Sequence, residues 1–191
     1  MICRCKWVNL KNPAYIAYHD SEWGQPCHED RMLFELLVLE SFQAGLSWEC
    51  ILNKRGSFRK AYDNFDVKKV SGYDEAKIMS LMSDKDIIRN RLKIKASVEN
   101  SKIFRAIQAE FGSFDNYIWH FTGGKTIAES YIIRTFSPLS TEVSADLKKR
   151  GMKFVGTTII YSYLQAIGVI NGHGSECSYF VRRKDTNQIA C

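Results

Sequence analysis

Apolar positions along the chain recur at the spacing of helices rather than strands. From Glu29 to about Ala44, Leu33, Leu36 and Leu37 are followed by Glu40 and Ala44 at steps of three and four, which predicts a helix with Glu40 projecting from its apolar side. A carboxylate on such a face needs a partner or a purpose. Ser47 is placed to cap a helix carrying Ile51 and Leu52, Asp66 to cap another, and a third is expected from about Asp74 to Met82. A longer helix should run from about Arg91 to Phe111, with Leu92, Val98, Ile103, Ala106 and Ile107 inward and Gly112 as its left-handed stop. Ser113 then caps a helix around Phe114 to Phe121. Beyond Gly123-Gly124, Thr141 to Arg150 reads as a helix ended at Gly151, and Gly156-Thr157-Thr158 opens another ended by Gly168. No stretch sustains a period of two. The expected fold class is therefore all-α, with little or no strand.

The chain has 191 residues, no internal repeat and no long linker, so one domain over 1–191 is expected. Apolar residues at 45% and charged residues at 25% exclude a low-complexity or largely disordered chain. Apolar runs such as Leu33–Leu39 and Ile159–Ile167 fall short of a membrane span, and Arg4, Lys6, Asn9 and Lys11 break up any signal-peptide core. A cytoplasmic location is expected, with no membrane partner. The net charge of +6 suits a polyanionic partner without proving one. Six cysteines without a secretory signal point to reduced thiols or metal ligands rather than to disulfides.

Three groups of residues could carry chemistry. Cys5 and His19 near one end, with His173 and Cys177 a helical turn apart near the other, form a Cys₂His₂ set suited to tetrahedral zinc. Cys3 rivals Cys5, buried histidines and inert thiols are the plainer alternative, and Cys27, Cys50 and Cys191 read as ordinary thiols. Trp7, Tyr15, Tyr18, Trp23 and Trp48 crowd the first part of the chain together with Glu40. Aromatics usually mean core, and a partner arginine or solvent could satisfy Glu40. Aromatic faces around a carboxylate would instead suit a flat, electron-poor or cationic ring. The third group is the turn within 81–94, where Lys85, Arg89, Arg91 and Lys93 lie in or just after a junction between two helices. Such a turn can aim backbone N–H groups at a phosphate, although a solvated basic helix start fits the charges equally well. Lys148, Lys149, Arg150 and Lys153 read as a solvated helix end.

Together these residues identify a resemblance. Arg4-Cys5-Lys6-Trp7-Val8, Tyr15-Ile16-Ala17-Tyr18-His19-Asp20-Ser21-Glu22-Trp23-Gly24, Leu39-Glu40 and Gln43-Ala44-Gly45-Leu46-Ser47-Trp48 are followed by Ile87-Ile88-Arg89-Asn90-Arg91, Lys93-Ile94, Leu147-Lys148-Lys149-Arg150-Gly151, Lys153-Phe154-Val155-Gly156-Thr157-Thr158-Ile159, Asn171-Gly172-His173 and Cys177. Nearly end to end, the chain resembles the bacterial DNA-3-methyladenine glycosylase I family. That resemblance implies a helix-hairpin-helix glycosylase whose hairpin lies at about 81–95. One structural zinc on Cys5, His19, His173 and Cys177 would tether the terminal segments 1–25 and 165–191. It implies Glu40 as the catalytic residue, bonding the extruded base together with Tyr15. Trp7, Tyr18 and Trp48 would stack on or enclose that base, and Trp23 would form a wall or support. Gly45-Leu46 is a candidate wedge into the base stack, and Ile88, Arg89, Arg91 and Lys93 are candidate DNA contacts. The implied partner is alkylated double-stranded DNA, bound by a monomer that needs no small-molecule cofactor and removes 3-methyladenine hydrolytically without Schiff-base chemistry. A DNA-binding or damage-sensing module that does not cleave is the rival from another class; a zinc hydrolase is disfavoured because all four metal positions are protein ligands. Two positions depart from the family pattern: Asp86 replaces a common hairpin glycine and is expected to tolerate left-handed backbone, and Gly172 replaces the usual Asp before His173, so a hydrogen-bond partner of the metal ligands is expected to be lost.

Overall fold

A computed structural model describes residues 2–129 and 134–180. In chain order its helices are α1 (Pro13–Ser21), α2 (Asp30–Gln43), α3 (Trp48–Ala61), α4 (Val67–Ser71), α5 (Glu75–Ser83), α6 (Arg91–Phe111), α7 (Phe114–His120), α8 (Pro138–Lys149) and α9 (Thr157–Ala166). The only strands among the described residues are β1 (Ile127–Ala128) and β2 (Ile170–Asn171), paired in parallel with Ile127 opposite Ile170. A mostly helical fold was expected, and it is what the chain forms.

Local chemistry accounts for most of the helix ends. Ser47 accepts the Cys50 N–H at 3.2 Å, Asp66 those of Lys68 and Lys69, Asp74 that of Lys77 at 2.8 Å and Ser113 that of Asn116 at 2.9 Å. Gly112 ends α6 at φ 84°. The pattern did not resolve α1, although Asn12 caps it through the Ala14 N–H and Pro13 supplies a preset φ at its first position. Helix α8 begins at Pro138 rather than Thr141, because Ser137 and Ser140 form a reciprocal capping box just ahead of the expected start.

Helix α2 is the central element. Every residue from Leu33 to Phe42 is buried, and α3, α6, α7 and α9 pack around it. The expected one-sided apolar face is thus too narrow, since Phe34, Val38, Leu39 and Phe42 are buried as well. In α6 the buried face runs through Ile94, Val98, Phe104 and Ile107, while Ile103 is half-buried. Leu92 and Ala106, expected inward, are exposed: helical phase measured from Ile94 puts both on the outer side.

Helices α5 and α6 are joined by a tight turn from Asp84 to Asn90. The Asp84 carboxylate accepts the Asp86 N–H at 2.9 Å, Asn90 caps α6 through the Lys93 N–H, and Lys54 Nζ on α3 donates to the Asp86 carbonyl at 3.1 Å. Asp86 is not among the residues with positive φ, so no left-handed backbone is asked of it and the expected need for glycine-like freedom does not arise.

The chain ends meet because two glycines permit it. At Gly168, with φ 73°, a Cβ would lie 2.2 Å from the Gln25 backbone, so only glycine admits that crossing. Hydrogen bonds from the Gly24 N–H to the Gln165 carbonyl and from the Cys27 N–H to the Ile167 carbonyl fix it. Gly24, at φ 76°, sits against His173, where a Cβ would approach the ring at 3.1 Å. The N-terminal segment and the residues after α9 thereby share one side of the molecule. Residues 181–191, including Cys191 and the end of the expected 165–191 tether, lie outside the described residues.

Candidate active site and metal centre

The side chain of Glu40 is set by its place on α2. Only 3% of the residue is exposed, no hydrogen-bond partner occupies its carboxyl among the described residues, and burial alone pushes its pKa up to about 8. Neither alternative suggested by the sequence, a partner arginine or open solvent, applies. The arginines near α2 serve a different carboxylate. Glu35 is fully buried one turn earlier and is held by Arg55 at 2.5 Å, Arg59 and Arg31, with Arg55 also bridging to Glu22. Burial raises the Glu35 carboxyl, and the hydrogen bond from Arg59 and the charges of Arg55 and Arg59 outweigh it, leaving the pKa lowered.

Tyr15 and Tyr18 lie close enough to Glu40 to feel its charge, and Trp7 and Trp48 pack against those two tyrosines. Tyr18 is buried on α1 and faces Trp48, the first residue of α3, with ring centroids 5.3 Å apart. Trp7 lies 5.4 Å from Tyr15 and meets Trp23 edge-on at 4.8 Å. Burial raises the pKa of both tyrosines, and the Glu40 charge raises each further. The Trp48 indole N–H is buried with no hydrogen-bond partner among the described residues. The fold thus gathers Trp7, Tyr15, Tyr18, Trp48 and Glu40. Trp23 packs against Trp7 and against the two histidines described next.

Cys5, His19, His173 and Cys177 are all buried, and their ligand atoms lie within 4.8 Å of one another. Cys177 Sγ is 3.5 Å from His19 Nε2 and 3.4 Å from His173 Nδ1, and Cys5 Sγ is 3.6 Å from the latter. The group can hold a metal ion, and Cys3, the rival to Cys5, is exposed outside it. The outward nitrogen of each ring is anchored: His19 Nδ1 bonds Asp20 at 2.8 Å, and His173 Nε2 meets the Trp23 carbonyl at 3.1 Å. Asp20 in turn is gripped by Arg4, which holds its pKa down to about 2. Gly172 therefore deprives neither histidine of its anchor, contrary to expectation. Asp20 and Arg4 were not singled out in the sequence; a carboxylate directly after a ligand histidine was the available signal. Burial pushes the Cys5 thiol up to about 11 and the His173 ring down to about 4.

The hairpin residues differ in placement. Arg89 is exposed with no ion pair among the described residues, Arg91 pairs with Glu75, and Ile88 is half-buried. Lys93, expected at a phosphate, is only 8% exposed and donates to the carbonyls of Phe42 at 2.9 Å and Ala44 at 2.6 Å. Gly45, at φ 84°, turns the chain out of α2, and Leu46 stands partly exposed at its tip.

Residues 7–181 match the sequence profile of the methyladenine glycosylase family. A curated relative, DNA-3-methyladenine glycosylase 1 of Escherichia coli (strain K12), is 40% identical over 188 residues, covering 95% of this chain and 98% of the relative. The chain belongs to the methyladenine glycosylase family. The crystal structure of a 3-methyladenine DNA glycosylase I has the same fold, with a TM-score of 0.89 at 40% identity across 94% of this chain and all of that one. The Staphylococcus aureus 3-methyladenine DNA glycosylase I, whose structure concerns 3-methyladenine recognition, matches with a TM-score of 0.86 at 35% identity over 90% of this chain and 94% of its own. As a methyladenine glycosylase, this chain carries its aromatic cluster and unpartnered carboxyl on α1, α2, α3 and the N-terminal segment.

Proposed function

We propose that this DNA-3-methyladenine glycosylase removes 3-methyladenine from alkylated duplex DNA in base-excision repair, holding the extruded base against Glu40 within Trp7, Tyr15, Tyr18 and Trp48. The observation that carries the assignment is Glu40 itself, a buried carboxyl with no hydrogen-bond partner among the described residues, close to Tyr15 and Tyr18. Such a group destabilises the empty protein when ionised, and a cationic guest removes that penalty. Adenine methylated at N3 carries the required charge, whereas unmodified adenine is neutral. A carboxylate also accepts from the exocyclic amine of adenine and repels the O6 acceptor of guanine, which disfavours methylated guanines. Tyr15 and the free Trp48 N–H supply further polar contacts from the same enclosure.

The substrate's charge simplifies the reaction. Cleavage of the glycosidic bond sends its electron pair into the ring, so the base departs neutral, and water adds to the sugar C1′ with loss of a proton. The protein's share is extrusion, recognition and transition-state stabilisation, with an ionised Glu40 carboxylate stabilising the positive charge as it passes from the methylated base to the sugar.

The ion proposed for the Cys₂His₂ group is zinc. A tetrahedral site with Zn–S near 2.3 Å and Zn–N near 2.05 Å has sulfur-to-nitrogen edges of about 3.6 Å, and three of the four such separations here are 3.4 to 3.6 Å, with all four ligand atoms within 4.8 Å of one another. Four protein ligands leave no open position, so the ion is structural. Cys5 and His19 bracket the segment carrying Trp7, Tyr15 and Tyr18, and the ion thereby fixes one wall of the base pocket. The α5–α6 turn is proposed as a helix-hairpin-helix, with its backbone, Arg89 and Arg91 meeting phosphates and Leu46 entering the stack. Cleavage is tested by Glu40→Gln: loss of base release with retained DNA binding supports the enzyme, whereas an unmodified protein that binds damaged DNA and releases nothing supports a damage-sensing module.

A further inference from the structure

We infer that Lys93 is a positioning residue that locks the Gly45–Leu46 turn and the end of the Glu40 helix to the hairpin. The inference rests on the glycosylase reading. The last carbonyls of a helix lack partners within it, and here those of Phe42 and Ala44 receive the Lys93 ammonium at 2.9 and 2.6 Å. The same residue gives its own N–H to the hairpin cap Asn90 at 3.1 Å, so one side chain spans from the cap of α6 to the end of α2. The far side of the ammonium faces the Phe154 ring at 6.0 Å. Phe154 is one of the few non-glycine residues with positive φ, at 56°, and its carbonyl is held by the Ser41 hydroxyl, on the residue following Glu40. The neighbouring Lys153 backbone is clamped at both its N–H and carbonyl by Asn100.

Past Ala44 the chain is equally constrained. The Leu46 N–H bonds the Gln43 carbonyl at 2.7 Å, and its carbonyl accepts from Gln43 Nε2 at 2.9 Å, which presents a partly exposed leucine on a fixed turn. A hairpin seated on phosphates therefore dictates where Leu46 and Glu40 stand. A buried ammonium committed to two carbonyls cannot also meet a phosphate, so Lys93 contributes geometry rather than charge to DNA binding.

Two variants and one double variant test this, with binding to undamaged duplex followed over salt and single-turnover release of 3-methyladenine followed on alkylated duplex. Lys93→Met is expected to bind within about twofold of wild type with an unchanged salt slope, while release slows by roughly tenfold or more. Lys93→Arg keeps the charge, but its planar fork does not reproduce an ammonium seated between two carbonyls, and it too is expected to release slowly. In a Leu46→Ala background, Lys93→Met should cost less than it does with Leu46 in place, because the turn it positions no longer carries the wedge. The inference is overturned if Lys93→Met lowers affinity and reduces the salt slope by about one while Lys93→Arg behaves as wild type, which is the signature of a phosphate contact. It is also overturned if both variants release at the wild-type rate, or if the Lys93→Met cost is unchanged in the Leu46→Ala background. Should Lys93→Met not fold, Lys93→Arg alone decides, since a phosphate role predicts normal release and a latch predicts slow release. Wild-type protein that releases no 3-methyladenine refutes the glycosylase reading instead, and does so separately from these comparisons.

Discussion

Glu40 costs the protein stability in order to be available. Its carboxyl titrates near 4.5 in an unfolded chain and is raised to about 8 in the folded one by burial. The favourable protonated native form is fully present below pH 4.5, and its advantage is lost as pH rises to about 8, where the native state carries a buried charge. Glu40→Gln is therefore expected to leave the melting temperature nearly unchanged at pH 4.5 and to raise stability by about 1–3 kcal/mol at pH 8 to 9, a contrast that thermal melts at the two pH values measure. The same substitution should slow single-turnover base release on the order of 100-fold while DNA affinity persists. Equal stabilisation at both pH values would mean that Glu40 is not the buried titrating group. Trp48 is the second residue held in reserve, with an indole N–H that has no partner until a ligand supplies an acceptor.

At the scale of elements, the α5–α6 turn, α2 and α3 are joined, because Lys93 reaches the end of α2 and Lys54, midway along α3, reaches the turn. Arg89, exposed on the turn, is the proposed phosphate contact there; Arg89→Ala is expected to lower affinity several-fold and reduce the slope of log affinity against log salt by about 0.9, as read from titrations across salt concentrations. An unchanged slope would remove Arg89 from the phosphate contacts. Much of this architecture was legible in the sequence because capping is local: Ser47, Asp66, Asp74, Ser113 and Gly112 each act within a few residues of themselves. What is set at a distance was not legible. The Lys93 bonds cross 51 and 49 positions, the two-residue strands are too short to show a period, and Leu92 sits at a helix start where phase is ambiguous. Glu40 stood out because a carboxylate breaks an apolar face, yet that its carboxyl has no partner follows only from packing. The metal set was visible as residue types, whereas its anchors, Asp20 and the Trp23 carbonyl, required the fold.

Across the whole molecule, the Cys₂His₂ group closes the chain by joining the segment before α2 to the residues beyond α9. Elemental analysis should find one zinc per chain. Removal by a strong chelator, or Cys177→Ser, is expected to lower the melting temperature by roughly 10 °C or more and to weaken base binding through the Trp7, Tyr15 and Tyr18 wall. A metal-free protein with unchanged melting would contradict a structural ion. No described helix is long and apolar enough to cross a membrane, and the +6 charge of the full chain suits a nucleic-acid partner. The molecule thus combines an exposed Arg89 on the α5–α6 turn, a buried carboxyl at Glu40 and an aromatic cluster beside the Cys₂His₂ group, and base release tests the proposed roles together. Purified protein should be incubated with alkylated duplex DNA and the free bases resolved by chromatography. Release of 3-methyladenine with 7-methylguanine left in place is the expected result. No released base from folded, zinc-loaded, DNA-bound protein would contradict the glycosylase assignment and leave a damage-binding module in its place.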